Sequence, residues 1–142
     1  MFLGTYTPKL DDKGRFFLPA KFRDDLDDGL VITKQQDRCL AIYPIAEFVK
    51  MTQQVGDGPA TVKQVRDYQR WLAAGASDQT PDKQGRVSVP QNLRDYAGLG
   101  KEITVVGAFN RVEIWDTQTW TEYSNATEPE FIAMNSDLFA AN

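Results

Sequence analysis

Residues 11–24 (DDKGRFFLPAKFRD) return as residues 82–95 (DKQGRVSVPQNLRD), at an offset of 82 − 11 = 71. Aligned without gaps, Asp11/Asp82, Gly14/Gly85, Arg15/Arg86, Pro19/Pro90, Arg23/Arg94 and Asp24/Asp95 are identical, and Leu18/Val89 and Phe22/Leu93 stay apolar. A duplicated unit constrains architecture before anything else does. A half of roughly 55 residues buries too little surface to be comfortable alone, so two halves sharing one core is the economical solution. The two copies of Arg15 are then expected at related places.

The local signals run in the same order in both halves. Residues 2–9 read as a strand, Asp11-Asp12-Lys13-Gly14 as a turn and 15–18 as a second strand. Asp accepts bonds from its own nearby backbone, and Gly supplies a positive φ. Pro19 suits a helix start, with Phe22 and Leu26 four apart on one face. LVITK and CLAIY are strands around a QQDR turn, and PIAEFVKMTQQV is a helix with Ile45, Phe48, Val49 and Thr52 on one stripe. A helix over 61–74 with Val62, Val65, Tyr68, Trp71 and Leu72 on its apolar face follows. The second half repeats the set: SDQT, the PDKQG turn, RVSV, the helix PQNLRDYAG, EITVVG, the AFNR turn, VEIWD and a closing helix TQTWTEY. Strands 40–43 and 112–115 match at an offset of 72, one residue having entered a turn. Two four-strand sets that interleave remove most free edges.

Composition narrows the chemistry. The chain has no histidine and one cysteine, Cys39. It therefore lacks the commonest general base and cannot assemble a Cys/His zinc site by itself. No Gly-rich phosphate loop or Gly-x-Ser-x-Gly elbow occurs. We expect no enzyme, no catalytic residue, no metal and no cofactor. The Asp24–Asp28 acidic run lacks ordered ligand spacing and reads as a solvated face. No apolar run spans a membrane, and the N-terminus lacks the pattern of a secretory signal. The single cysteine fits a reducing cytoplasm. Net charge is −4, which taken alone argues against nucleic acid. Placement matters more: Lys9, Lys13, Arg15, Lys21 and Arg23 outnumber Asp11 and Asp12 around the first turn.

Two readings of the repeated Asp-x-x-x-Arg follow from the residues. The guanidinium of Arg15 or Arg86 at a turn tip can reach phosphate or the O6/N7 edge of guanine. Alternatively, Asp11–Arg15 and Asp82–Arg86 are salt bridges that close the turns, and both readings hold together if Asp orients Arg. Gly14 and Gly85 are read as turn-structuring with Asp11 and Asp82. Phe16, Phe22, Trp71, Trp115 and Trp120 are read as core, and only Phe16 and Phe17 stand beside basic residues as a base-stacking platform would require.

The segment MFLGTYTPKLDDKGRFFLPAKFR, together with PDKQGRVSVP, resembles the MraZ family, bacterial regulators of the division and cell-wall gene cluster. Each half resembles an AbrB/SpoVT swapped-hairpin domain. The resemblance implies an α+β fold, mainly β, in which two AbrB-like halves form an intrachain pseudo-dimeric β-barrel with flanking helices. The resemblance covers roughly residues 1–123, with a first repeat over 1–48 and a second over 77–123; periodicity makes 49–76 a helical connector, and its absence from Asn125 onward makes 124–142 a tail expected to be mobile or to pack opportunistically. The resemblance also implies a cytoplasmic, nucleoid-associated homo-oligomer, a ring, that binds double-stranded promoter DNA at G-rich direct repeats upstream of its own operon. The DNA-binding residues would be Arg15, Arg86, Lys13, Lys83, Lys9 and Lys21. The copies are unequal: Thr80, Gln84 and Asn92 stand where the first has Lys9, Lys13 and Lys21, and Lys83 replaces Asp12. The alternative is an antitoxin-like or oligomeric interaction module on the same fold, with no base readout.

Overall fold

The computed structural model describes residues 1–134. Eight short strands and five helices follow one another as β1 (Thr5–Tyr6), β2 (Arg15–Phe17), α1 (Ala20–Leu26), β3 (Leu30–Gln35), β4 (Cys39–Pro44), α2 (Ile45–Gly56), α3 (Lys63–Gly75), β5 (Ser77–Gln79), β6 (Arg86–Ser88), α4 (Gln91–Ala97), β7 (Ile103–Gly107), β8 (Val112–Asp116) and α5 (Thr117–Ile132). Pro19, Pro44 and Pro90 each occupy the residue before a helix, where no amide hydrogen is needed. Asp116 caps α5, its carboxylate accepting from the Thr119 N–H.

The halves interleave. A six-stranded antiparallel sheet has the order β1-β7-β8-β4-β3-β5, and β2 and β6 form a separate two-stranded ribbon. So β1 pairs with β7 from the other half, and β5 pairs with β3. The registers reveal a pseudo-two-fold axis. In the sheet it passes between Ala41 and Glu113, with Leu40 opposite Ile114 and Ile42 opposite Val112. In the ribbon it passes between Phe16 and Val87, with Arg15 opposite Ser88 and Phe17 opposite Arg86. Alternation then does the rest: Phe16 and Val87 point inward and are buried, while Arg15, Phe17, Arg86 and Ser88 share the outward face.

One core lies between sheet, ribbon and the short helices. Phe16, Leu18, Phe22, Leu26, Val87, Val89, Leu93 and Ala97 meet the sheet residues Leu30, Ile32, Leu40, Ile42, Ile103, Val105, Val112 and Ile114. Phe2 and Tyr6 meet the Phe22 ring edge-on, each with centroids 5.3 Å apart. Each fully buried Leu, Ile or Phe contributes about 1.5–3 kcal/mol, and both halves supply them to this one core.

Two expectations need amending. The closed barrel is not formed by the described strands: β1 and β5 remain the two edges of an open sheet. They are two and three residues long and lie at opposite ends of the order, while the ribbon strands pair with each other rather than bridge the gap. The closing helix does not end at Tyr123 but continues as α5 to Ile132; of the tail expected from 124, residues 135–142 lie outside the described residues. The stripe on α2 is not core. Ile45 and Val49 are exposed, and on α3 only Leu72 among the apolar face is fully buried, with Val62 and Tyr68 exposed.

Candidate nucleic-acid interface

Each ribbon strand begins at a tight turn with the same wiring. The Asp11 carboxylate accepts from the Lys13 N–H (2.9 Å) and the Arg15 N–H (2.9 Å) through Oδ1, and from Arg15 Nε through Oδ2 (2.8 Å). In the second copy Asp82 accepts from the Gln84 N–H (2.9 Å), the Arg86 N–H (2.9 Å) and Arg86 Nε (2.7 Å). The backbone closes both turns, Gly14 N–H to Asp11 O and Gly85 N–H to Asp82 O. These donors, first of all the backbone N–H of the arginine, hold both carboxyls below the usual aspartate value, against a smaller opposing effect of desolvation.

The clasp reading of the repeated motif is what the geometry displays, and it leaves the other reading compatible. Asp does clasp Arg, but it takes Nε, so the outer edge of the guanidinium, Nη1 and Nη2, is left for another partner. Arg15 and Arg86 side chains are partly exposed, at 28% and 23%. They sit diagonally across the ribbon, a separation of about 7–8 Å in antiparallel geometry. Pinned from behind, each is a fork whose direction is set before anything binds.

The glycines serve a further purpose. Gly14 and Gly85 have φ of 78° and 79°, the left-handed region. A methyl group at Gly85 would stand 2.7 Å from Arg23 Cζ, and one at Gly14 would stand 2.6 Å from Arg94 Cζ. The α1 and α4 arginines thus lie crosswise under the turn of the opposite repeat. Backbone bonds run crosswise too, Leu18 N–H to Gly85 O (3.0 Å) and Val89 N–H to Gly14 O (2.8 Å). Arg23 and Arg94 had no assigned role from sequence, although their identity in both copies was the available signal.

The remaining predicted residues divide. Lys13 and Lys83 stand in the turns beside the two arginines, exposed and without a carboxylate partner among the described residues. Lys21 is exposed on the first turn of α1. Lys9 stands farther back, its backbone bridging to Glu102. Of the two phenylalanines beside the basic residues, Phe16 is buried and Phe17 is 52% exposed. Among the core expectations, Phe22 and Trp115 are buried, whereas Trp71 and Trp120 are half-buried. Cys39 is buried, and burial pushes its thiol well up, so it is no nucleophile.

Both halves of the chain, residues 1–70 and 72–142, match the family described as "MraZ protein, putative antitoxin-like". The chain belongs to the MraZ family. The boundary between its two MraZ repeats falls inside α3. Similar proteins carrying the name Transcriptional regulator MraZ come from Cutibacterium acnes, 67% identical over 140 residues and 99% of each chain; from Kineococcus radiotolerans, 57% over 131 residues and 92% of each; and from Thermobifida fusca, 53% over 138 residues, 97% of this chain and 96% of that one. MraZ is a family of regulators and not of enzymes. None of the described helices is long and apolar enough to cross a membrane.

Proposed function

We propose that this MraZ chain is a sequence-specific regulator of transcription that reads double-stranded DNA with the β2/β6 ribbon, Arg15 and Arg86 each meeting a guanine edge. The observation that carries the reading is the pair of Asp-pinned arginines on the outward face of a two-stranded ribbon. A ribbon of that width enters the major groove, and Arg paired bidentately with O6/N7 is its commonest specific contact. Lys13 and Lys83 flank the arginines where phosphates would pass, with Lys9 and Lys21 farther out. The target class is G-rich direct repeats upstream of a division and cell-wall operon, and the site of action is the nucleoid in the cytoplasm. The AbrB/SpoVT-like description of each half belongs to the same reading.

A single acidic chain offers few cations, so tight binding requires many ribbons at once. A closed ring of copies would supply them by avidity on repeated sites. The exposed Ile45 and Val49 of α2 and Tyr68 of α3 support self-association.

The test is binding of promoter duplexes to the intact protein with Arg15→Ala and Arg86→Ala. Each engaged arginine–guanine pair is worth roughly 1–3 kcal/mol. Arg15→Ala is expected to abolish specific binding at unchanged fold, and Arg86→Ala to weaken it less, given the neutral residues around it. If Arg15→Ala unfolds the chain but leaves affinity per folded molecule intact, the clasp is only structural and the antitoxin-like interaction module is the better reading.

A further inference from the structure

The outward face of the ribbon carries four side chains, and three of them fit the DNA reading at once. The fourth is Phe17. It is 52% exposed, whereas Phe16 beside it on the same strand is almost completely buried. Phe17 stands directly opposite Arg86, whose Cζ lies 6.0 Å from the ring centroid. The corresponding corner of the second copy holds Ser88, opposite Arg15. There the side-chain amide of Gln79 clamps the strand, Nε2 donating to Ser88 O (2.8 Å) and Oε1 accepting from Ser88 N–H (3.0 Å). Seventy-one positions earlier the chain has Pro8, which carries no amide to do the same for Phe17. One corner of the ribbon is thus polar and tied down, and the other presents a bare ring.

On the reading that this ribbon enters the major groove, we infer that Phe17 is a specificity-determining residue that packs on the 5-methyl group of a thymine next to the guanine read by Arg86. A phenyl ring has no donor for a phosphate and no partner for a base amide or carbonyl. The apolar feature on the major-groove edge of a base pair is the thymine methyl. Because the ring flanks the Arg86 guanidinium, the thymine lies in the base step adjoining that guanine. The pseudo-symmetric ribbon thereby reads an asymmetric sequence: guanine with an adjoining thymine at the Phe17–Arg86 side, guanine alone at the Arg15–Ser88 side. Such a polarity suits repeats that run in one direction rather than palindromes.

The experiment uses the full-length protein and the tightest duplex it selects from a random double-stranded pool, with each thymine replaced in turn by deoxyuridine, which lacks only the methyl. One replacement, beside a guanine whose loss matters to wild type but not to Arg86→Ala, should weaken binding about fourfold per engaged copy, the worth of one buried methyl group. Phe17→Ser, which copies the residue already tolerated at position 88, should bind the two duplexes equally, and Phe17→Leu should still discriminate. A selected duplex that depends on Arg86 yet shows no thymine–uracil difference, or a Phe17→Ser protein that keeps the difference, overturns this inference alone. A pool in which nothing is enriched overturns the DNA reading and this inference with it.

Discussion

The turn at 11–17 and the turn at 82–88 have nearly the same backbone and different surfaces. Asp, Gly and Arg recur, and so do the bonds they make, to within 0.1 Å for the three Asp–donor pairs in each copy. What changes is the set of side chains that face outward: Lys13 against Gln84, Phe17 against Ser88, Asp12 against Lys83. Geometry has been held constant while charge and polarity have diverged. The residues that aim the arginines cannot vary without moving the fork, whereas those beside it are free to tune what the fork meets.

The comparison breaks most violently at its axis. Phe16 and Val87 face each other there, both buried. Phe16→Ala should cost about 3–5 kcal/mol in denaturant unfolding, and Val87→Ala less because fewer atoms leave. Equal losses would mean the core repacks around the ribbon. The glycines come next. Gly14→Ala and Gly85→Ala each force a left-handed alanine against an arginine of the other repeat, at a cost of about 1–3 kcal/mol. Repeats that are alike in structure should lose alike, so a harmless substitution at either turn contradicts the crosswise packing.

The lysine substitution sharpens the functional half of the comparison. Lys13→Ala should lower the slope of log affinity against log salt by about 1 per engaged copy, and Gln84→Ala should leave it unchanged. An unchanged slope in Lys13→Ala would place that side chain off the phosphates. The smallest effect is expected from acid. Asp11 and Asp82 titrate below the ordinary 3.8 in the folded chain. A lowered folded pKa gives stability that is present above that ordinary value and is lost as pH falls through the folded one. Unfolding midpoints should therefore be flat from pH 7 to 5 in this respect and decline below about 3.8, with the decline reduced equally by Asp11→Asn and Asp82→Asn. A larger reduction in one variant would show that the two clasps differ in strength.

Much of this was legible in the chain itself. The repeat predicted two related arginines, Asp and Gly predicted the turns, and the three prolines predicted three helix starts, because each depends on a few adjacent residues and their backbone preferences. The residues proposed for the DNA site, Arg15, Arg86, Lys13 and Lys83, could be singled out for the same reason: they belong to one short motif. Periodicity misled where burial depends on a partner. The stripes on α2 and α3 have core spacing, yet Ile45, Val49, Val62 and Tyr68 stay exposed because none of the described residues covers them. Only the tertiary structure decided that the sheet stays open, that β1 and β5 cross to the other half, and that Arg23 and Arg94 lie beneath turns about 60–80 residues away in sequence. It also decided that Phe17 faces out, beside the Phe16 already read as core from the sequence. Strand alternation dictates that one of two adjacent residues is buried, but which one depends on the side of the ribbon the other repeat lies on.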